Sequence, residues 1–261
     1  MPARSPRRAP AGDPAEDSSA GAIAVCADWL DAARALAPGS VDLLYADPPF
    51  NTGTPKRSRA GAFNDRFDCT AAYVAWLRER LEATLPALAP AANILLHIDW
   101  RTSHRVRVLL DDVLGESCFV NHLVWKYGLG GSSPRRFARK HDDILFYTLD
   151  PRRYWFEPPR VPATSNRMKG LDKKATDVID IPAINNMAAE RLGYPTQKPL
   201  ALMELLVGAC CPPGGLVFDP CCGSGTTLEA ALRLGRRAAG SDISPAAVRL
   251  TLKRLQRVPG P

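Results

Sequence analysis

Phe218-Asp219-Pro220-Cys221-Cys222-Gly223-Ser224-Gly225-Thr226-Thr227 is the stretch that decides the fold of this 261-residue chain. The apolar run at 216–218 before it is typical of a buried strand, and residues 226–234 after it are typical of a helix. Glycines allow a tight turn and a close approach of the backbone to a ligand, and the first N–H groups of a helix are free to bind one. The stretch therefore predicts a strand, a glycine turn and a helix, which is the unit of an α/β sheet.

The alternation of strands and helices begins at residue 23 and continues on both sides of this stretch. Apolar runs predict strands at 41–46, 93–98, 119–127, 143–148, 216–218 and 237–241. Helical spacing or composition predicts helices at 71–88, 103–114, 199–209, 226–234 and 245–257. Residues 51–69 are predicted to form a loop, and residues 150–192 have no clear period. This order predicts an α/β protein with a mostly parallel, twisted sheet and helices on both faces.

Four aspartates stand where predicted strands end: Asp47, Asp99, Asp219 and Asp242. Single aspartates at such places are common as caps. In an open parallel sheet, however, ligands bind beyond the carboxyl ends of the strands. Four carboxylates at one edge are better explained by a shared site.

The glycine stretch fits three ligands to different degrees, besides a tight turn that binds nothing. A phosphate-binding loop needs a Lys after the second glycine, where this sequence has Thr226. A dinucleotide loop needs a third glycine, where this sequence has Leu228. S-adenosylmethionine carries no phosphate, and an acid for its ribose hydroxyls is expected at the end of the next strand. Asp242 stands there, 23 residues after Asp219.

A second stretch, Asp47-Pro48-Pro49-Phe50, ends the predicted strand at 41–46. Two prolines hold the backbone extended, so the Asp47 carboxylate and the Pro48 carbonyl can both accept from one amino group. The amino group of adenine or cytosine is a poor nucleophile because its lone pair is delocalised into the ring. Two acceptors favour the tetrahedral geometry that frees this pair, and Phe50 offers a flat face to an extruded base. Taken alone, the stretch is better explained by a turn that ends a strand and buries the Phe.

The net charge and the cysteine content limit the classes of protein to which this sequence can belong. The formal net charge is +7, and residues 101–174 carry fifteen Lys and Arg against eight Asp and Glu, which favours a surface that faces nucleic acid. The cysteine count of seven is odd and includes two adjacent pairs, which indicates neither a disulfide framework nor a zinc site. The four histidines form no metal spacing, so we predict no metal. No apolar run of about 18 residues and no signal peptide are found, which predicts a cytoplasmic protein with reduced thiols and no membrane contact.

The chain is predicted to hold one catalytic domain at 21–261, preceded by a disordered tail at 1–20 that is poor in large apolar residues. Basic side chains are predicted to contact DNA phosphates, with a merely solvated loop as the alternative. These residues are Lys56, Arg57, Arg135, Arg136, Arg139, Lys140, Arg152 and Arg153.

Three motifs together resemble the beta group of DNA amino-methyltransferases over roughly residues 23–256. Residues 47–50 match that family's catalytic pattern [DNS]-P-P-[YFW]. Residues 219–227 match its cofactor pattern D-P-F-x-G-S-G-T-T, with Cys221 replacing the Phe and Cys222 the variable residue. Thr196-Gln197-Lys198-Pro199 is similar to its other cofactor motif. The catalytic motif comes first and the glycine loop last, which is the permuted order of the beta group.

The resemblance implies a Rossmann-like methyltransferase fold, S-adenosylmethionine as cofactor and double-stranded DNA as substrate. It implies adenine N6 as the favoured target, with cytosine N4 as the alternative, and residues 128–190 as an inserted region that recognises the target. The catalytic residues would be Asp47, Pro48, Pro49 and Phe50. The cofactor would be held by Thr196, Gln197, Lys198, Asp219, Pro220, Cys221, Gly223, Gly225, Thr226 and Asp242. RNA methylation, a non-catalytic DNA-binding module, a homodimer and a cognate restriction endonuclease are left open.

Overall fold

The computed structural model describes residues 21–54, 56–58, 61–63, 65–128, 132–163, 169–185 and 187–258. The tail predicted at 1–20 lies outside these residues.

An eight-stranded sheet forms the centre of the molecule, in the order β1-β12-β11-β2-β5-β7-β6-β10. Its strands are β1 (Ala22–Cys26), β2 (Val41–Ala46), β5 (Leu88–Ile98), β6 (Phe119–Lys126), β7 (His141–Thr148), β10 (Val178–Asp180), β11 (Leu216–Asp219) and β12 (Arg237–Asp242). Only β7 runs antiparallel to its neighbours within this sheet. The prediction of a mostly parallel sheet is confirmed.

Six helices cover the two faces of the sheet in the part of the chain that is described. They are α1 (Trp29–Ala35), α2 (Thr70–Thr84), α3 (Ser103–Leu114), α4 (Leu200–Cys210), α5 (Thr226–Arg233) and α6 (Pro245–Leu255). The predicted helix at 71–88 ends early, because Pro86 lies in a short 3-10 turn and β5 begins at Leu88.

Alternation along the strands divides the core into two layers. In β2, Leu43 and Tyr45 pack with α4, α5 and α6, whereas Leu44 and Ala46 pack with α1, α2 and α3. A strand covered on both faces reads as one continuous apolar run, which is how β2 appears in the sequence. Helices on both faces are therefore confirmed.

Two segments differ from the sequence expectation. The predicted loop at 51–69 contains an antiparallel hairpin of β3 (Lys56–Ser58) and β4 (Gly61–Phe63). The aperiodic segment at 150–192 contains a hairpin of β8 (Arg160–Pro162) and β9 (Asp172–Lys174), and also β10, which extends the main sheet beside β6. Strands of three residues are too short to show a period of two, so the sequence pattern did not reveal them.

Candidate functional site

The four aspartates at strand ends meet at one edge of the sheet, as the sequence predicts. Strands β2, β5, β11 and β12 are parallel, so their carboxyl ends lie together. Asp47, Asp219 and Asp242 line one cleft, whereas Asp99 lines a neighbouring pocket. The cleft encloses about 1050 Å³ of space, part of it open to solvent.

Carboxylates concentrate negative charge at the floor of this cleft. Asp219 is 2% exposed, and burial, together with the charges of Asp47 and Asp242, raises its pKa to about 7. Hydrogen bonds from the Thr227 side chain and the Cys221 backbone oppose that rise. Burial also raises the pKa of Asp242. A positively charged ligand would reduce the cost of ionising these groups.

The glycine turn between β11 and α5 is shaped by its neighbours. Gly223 has a φ of 53°, and its N–H donates to Asp242 Oδ2 over 3.0 Å. Gly225 has a φ of 75°, and a Cβ there would lie 2.6 Å from Thr251 Cγ2. Gly225 is not among the residues that line the cleft and packs against Thr251 of α6, and its predicted role at the cofactor stays a prediction.

Helix α6 packs against the glycine turn and fixes its position. The Arg254 guanidinium is 6% exposed and pairs with Glu229 Oε2 at 2.7 Å. It also donates to the Ser224 carbonyl over 3.1 Å and to the Thr226 hydroxyl. The last helix of the fold therefore fixes the loop that faces the cleft.

Cys221 and Cys222 follow Asp219 and Pro220 on the cleft wall. Burial raises the pKa of both thiols well above the ordinary value. Protonated thiols are poor nucleophiles, which agrees with the interpretation of these cysteines as small residues that pack the turn.

The Thr196-Gln197-Lys198 segment forms the opposite wall of the cleft. Gln197 Oε1 accepts from the Leu192 N–H over 2.8 Å, and its amide nitrogen donates to the Glu190 carbonyl over 2.6 Å. The Gln197 side chain therefore stabilises its own loop. Lys198 forms an ion pair with Asp47, a link between two motifs that are 151 positions apart in the chain.

One end of the cleft is aromatic, and the sequence motifs did not reveal it. Trp29, Phe67 and Trp76 line this end, with an ion pair between Arg80 Nη2 and Asp28 Oδ2 at 2.9 Å. These residues come from α1, α2 and the segments before them. Because they are scattered and form no local motif, only the fold brings them together.

The Asp47–Phe50 segment, which follows β2, lies next to a buried hydrogen-bond chain. Phe50 packs on His97, with 5.8 Å between ring centroids. Tyr45 Oη lies 2.9 Å from His97 Nδ1, and His97 Nε2 lies 3.3 Å from Asp142 Oδ2. An ionised carboxylate only accepts, so in the neutral imidazole Nε2 carries the proton and Nδ1 accepts from the Tyr45 hydroxyl.

Asp65 holds the backbone that follows Phe50. It is 1% exposed and accepts from the Asn51 N–H over 2.7 Å and from the Thr52 hydroxyl. Its carbonyl accepts from the Gly53 N–H over 2.9 Å. Asn51 adopts a φ of 56°, an uncommon value outside glycine, and its side chain accepts from the Phe67 N–H over 3.1 Å.

A second pocket, here called the side pocket, lies at the same edge of the sheet beyond His97. It is lined in part by Asp99, Trp100, Tyr127, Arg136, Arg139 and Asp142. Burial raises the pKa of Asp142, but hydrogen bonds from His97 and Tyr127 and the charge of Lys198 outweigh it and hold the pKa below the ordinary value. The side pocket therefore keeps a charged carboxylate next to arginines.

The predicted DNA-contacting residues fall into three groups. Arg135, Arg136 and Arg139 are exposed in the segment between β6 and β7, and Lys140 is partly exposed there. Lys56 and Arg57 lie in β3, but their side chains are outside the described part of the structure. The remaining two predicted residues, Arg152 and Arg153, are exposed after β7. All of these DNA contacts stay predictions.

Within the described residues, no group of His, Cys, Asp and Glu could hold a metal ion. None of the helices in those same residues is long and apolar enough to cross a membrane.

Comparison with known proteins gives the family. The model of the N6/N4 family of DNA methylases matches residues 41–253. The chain belongs to this family. The match spans the catalytic segment, the Thr-Gln-Lys-Pro segment and the glycine turn.

The sequence identity between this chain and its individual relatives is low. Over 237 residues the methylase is 28% identical to the Type II methyltransferase M.HpaI of Haemophilus parainfluenzae, covering 88% of this chain and 73% of that one. Over 246 residues it is 25% identical to the DNA adenine methyltransferase YhdJ of Escherichia coli K12, covering 87% and 80%. The solved complex of M1.HpyAVI with SAM superposes with a TM-score of 0.62 at 20% identity, covering 90% and 98%. That likeness confirms the Rossmann-like methyltransferase fold.

Proposed function

We propose that this methylase is a site-specific enzyme that transfers a methyl group from S-adenosylmethionine to the exocyclic amino group of a base turned out of duplex DNA. The observation that carries the proposal is the single cleft shared by Asp47 and the glycine turn. A pocket that joins an acceptor for an amino group to a cofactor loop suits direct transfer between two bound molecules.

Residues that line the cleft suit the separate parts of S-adenosylmethionine. The aromatic end of Trp29, Phe67 and Trp76 suits a flat adenine. Asp242 suits the ribose hydroxyls, and the carboxylates near Asp219 suit a sulfonium cation. Lys198 is the cation that suits the cofactor's carboxylate. When bound, S-adenosylmethionine supplies a methyl group on positively charged sulfur, open to in-line attack by nitrogen.

The chain's own part in the reaction lies at Asp47 and Pro48. Their oxygens accept the two hydrogens of the target amino group and favour its tetrahedral form, which frees the lone pair. Phe50, supported from below by His97, stacks on the base. The ion pair with Lys198 holds the Asp47 side chain in place at the cleft.

Adenine N6 is the favoured target. Asp at the first position of the motif and Phe at the fourth support this choice, and the similar YhdJ is named as a DNA adenine methyltransferase. Cytosine N4 is the alternative because the family covers both amino groups. Residues 128–190 are proposed to recognise the target sequence, while a homodimer and a cognate endonuclease stay predictions.

The proposal is tested by tritium transfer from labelled S-adenosylmethionine to unmethylated duplex DNA. Asp47→Ala is expected to lower transfer by about 100-fold or more, because an aligned electrostatic group at the reacting centre is lost. Cofactor binding, measured by calorimetry, should persist. Asp31→Ala is the matched control, since Asp31 is exposed on α1. Full activity of Asp47→Ala would refute the roles assigned to residues 47–50.

The substrate and the base are tested with the same protein. Parallel assays with RNA and free nucleosides should give far less product than duplex DNA. Chromatography of digested product should yield N6-methyladenine; N4-methylcytosine would select the alternative, and a preference for RNA would overturn the DNA assignment.

A further inference from the structure

The apolar side chain of Phe137 is almost fully exposed to solvent. It is 97% exposed, whereas burying a side chain of this kind contributes about 1.5–3 kcal/mol. Single exposed apolar residues are common in proteins, so the exposure of Phe137 alone does not indicate a function. The position of Phe137 in the chain is the second observation.

Phe137 stands at the centre of a basic segment. Arg135 and Arg136 precede it, and Arg139 and Lys140 follow it. The segment joins β6 to β7 at the edge of the sheet where Asp47 lies. Such a segment offers cations to phosphates on either side of one flat apolar group.

Contacts link this segment to the catalytic centre in a few steps. The Arg139 guanidinium lies 3.4 Å from the ring centroid of Trp100, next to Asp99 at the end of β5. Arg136 and Arg139 line the side pocket with Asp142, and Asp142 binds His97, which supports Phe50. A duplex that delivers a base to Phe50 therefore passes close to Phe137.

We propose that Phe137 is a wedge that enters the base stack of duplex DNA beside the target base and stabilises the extruded state. This inference rests on the proposed function. Extruding a base costs stacking and pairing energy, and proteins that deform a duplex often insert an apolar side chain between base steps. Arg135 and Arg136 hold the flanking backbone while the ring of Phe137 occupies the stack. The ligand of this surface is thus the base stack next to the target.

The test compares two duplexes whose methylation site has first been found by sequencing with modified-base detection. In one, the target base is paired; in the other, it lies opposite an abasic position, so that less energy is needed to extrude it. Phe137→Ala is expected to lower kcat/KM about tenfold on the paired duplex, the effect of losing one stacking contact. The same variant should stay within about twofold of the unsubstituted protein on the abasic duplex, since extrusion there is already favourable.

Controls separate the wedge from other roles. Phe137→Trp should retain activity on both duplexes, and Val108→Ala, at an exposed apolar position on α3, should behave as the unsubstituted protein. With 2-aminopurine at the target position, fluorescence should rise when the unsubstituted protein binds and much less with Phe137→Ala.

Three outcomes would overturn the wedge. They are an equal loss on both duplexes, no loss on the paired duplex, or a change of oligomeric state in Phe137→Ala measured by light scattering. Failure of the proposed function would look different, because the unsubstituted protein would then methylate neither duplex.

Discussion

His97 connects the two pockets through a pair of hydrogen bonds, and its own side chain is buried. It is 0% exposed and lies between the Tyr45 hydroxyl and the Asp142 carboxylate. Burial raises the pKa of Tyr45 well above its ordinary value, so the hydroxyl keeps its proton and donates. The ring that supports Phe50 is thereby held in one orientation.

His97→Phe is expected to lower the free energy of unfolding by about 2 kcal/mol, because the buried Tyr45 hydroxyl loses its acceptor. Adding Tyr45→Phe removes the orphaned hydroxyl, so the double variant should lose less than the sum of the two single losses. Urea denaturation of all four proteins gives this comparison. Strict additivity would show that the two side chains act independently.

Residues that carry chemistry were predictable where the motif is local. Asp47, Asp219 and Asp242 were found from their place after apolar runs, and the fold brings all three to one cleft. The ion pair of Lys198 with Asp47 and the roles of His97 and Asp65 were not predicted. Each depends on a partner that only folding brings near, and single buried His or Asp residues leave no periodic signal in a sequence.

Hydrogen bonds of Asp65 and Asn51 join the two ends of the segment between Phe50 and Phe67. The hairpin of β3 and β4 projects between these two ends. A buried carboxylate that accepts from the Asn51 backbone and from Thr52 fixes where the hairpin begins. It also fixes the direction in which the chain leaves Phe50.

Asp65→Ala is expected to lower the free energy of unfolding by about 2 kcal/mol, since two partly buried donors lose their acceptor. Methyl transfer should fall more than cofactor binding, because Phe50 loses its position while the glycine turn is unaffected. Asp68→Ala is the control, as Asp68 is exposed three positions later. Equal stability of the two variants in urea would contradict the role of Asp65.

Long elements were easier to predict than short ones. Helix α3 has the predicted bounds, because Val106, Leu109 and Leu110 repeat at helical spacing. Strands β8, β9 and β10 have three residues each; β8 and β9 pair with each other, and β10 pairs with β6. A sequence pattern therefore cannot mark them.

Across the whole molecule, the net positive charge coexists with a cleft of negative charge. The chain carries +7, yet Asp47, Asp219 and Asp242 converge in the cleft. The outer surface suits a polyanion, whereas the cleft suits a cation. The two ligands of a DNA methyltransferase have these opposite charges.

The buried Asp219 should make stability fall with rising pH. Its pKa is raised to about 7, so its contribution is fully present below about pH 4 and is lost as the pH rises through 7. The difference is on the order of 4 kcal/mol at most, at about 1.4 kcal/mol per pH unit. Asp219→Asn should flatten this slope in urea denaturation between pH 4 and 8, while Asp31→Asn should not. An unchanged slope in Asp219→Asn would exclude Asp219 as its source.

The position of α6 has a consequence for how such chains can be rearranged. From the end of β12 it returns along the sheet and packs against β1, so Leu255 comes back to the edge where Ala22 begins. A gene joined tail to head at these points and reopened just after β10, ahead of the Thr196-Gln197-Lys198 segment, would encode the glycine turn before Asp47. The cleft would keep every wall, because neither cut passes through it. The same three-dimensional site can thus be formed by two different orders of the motifs along the chain, and this chain has one of them.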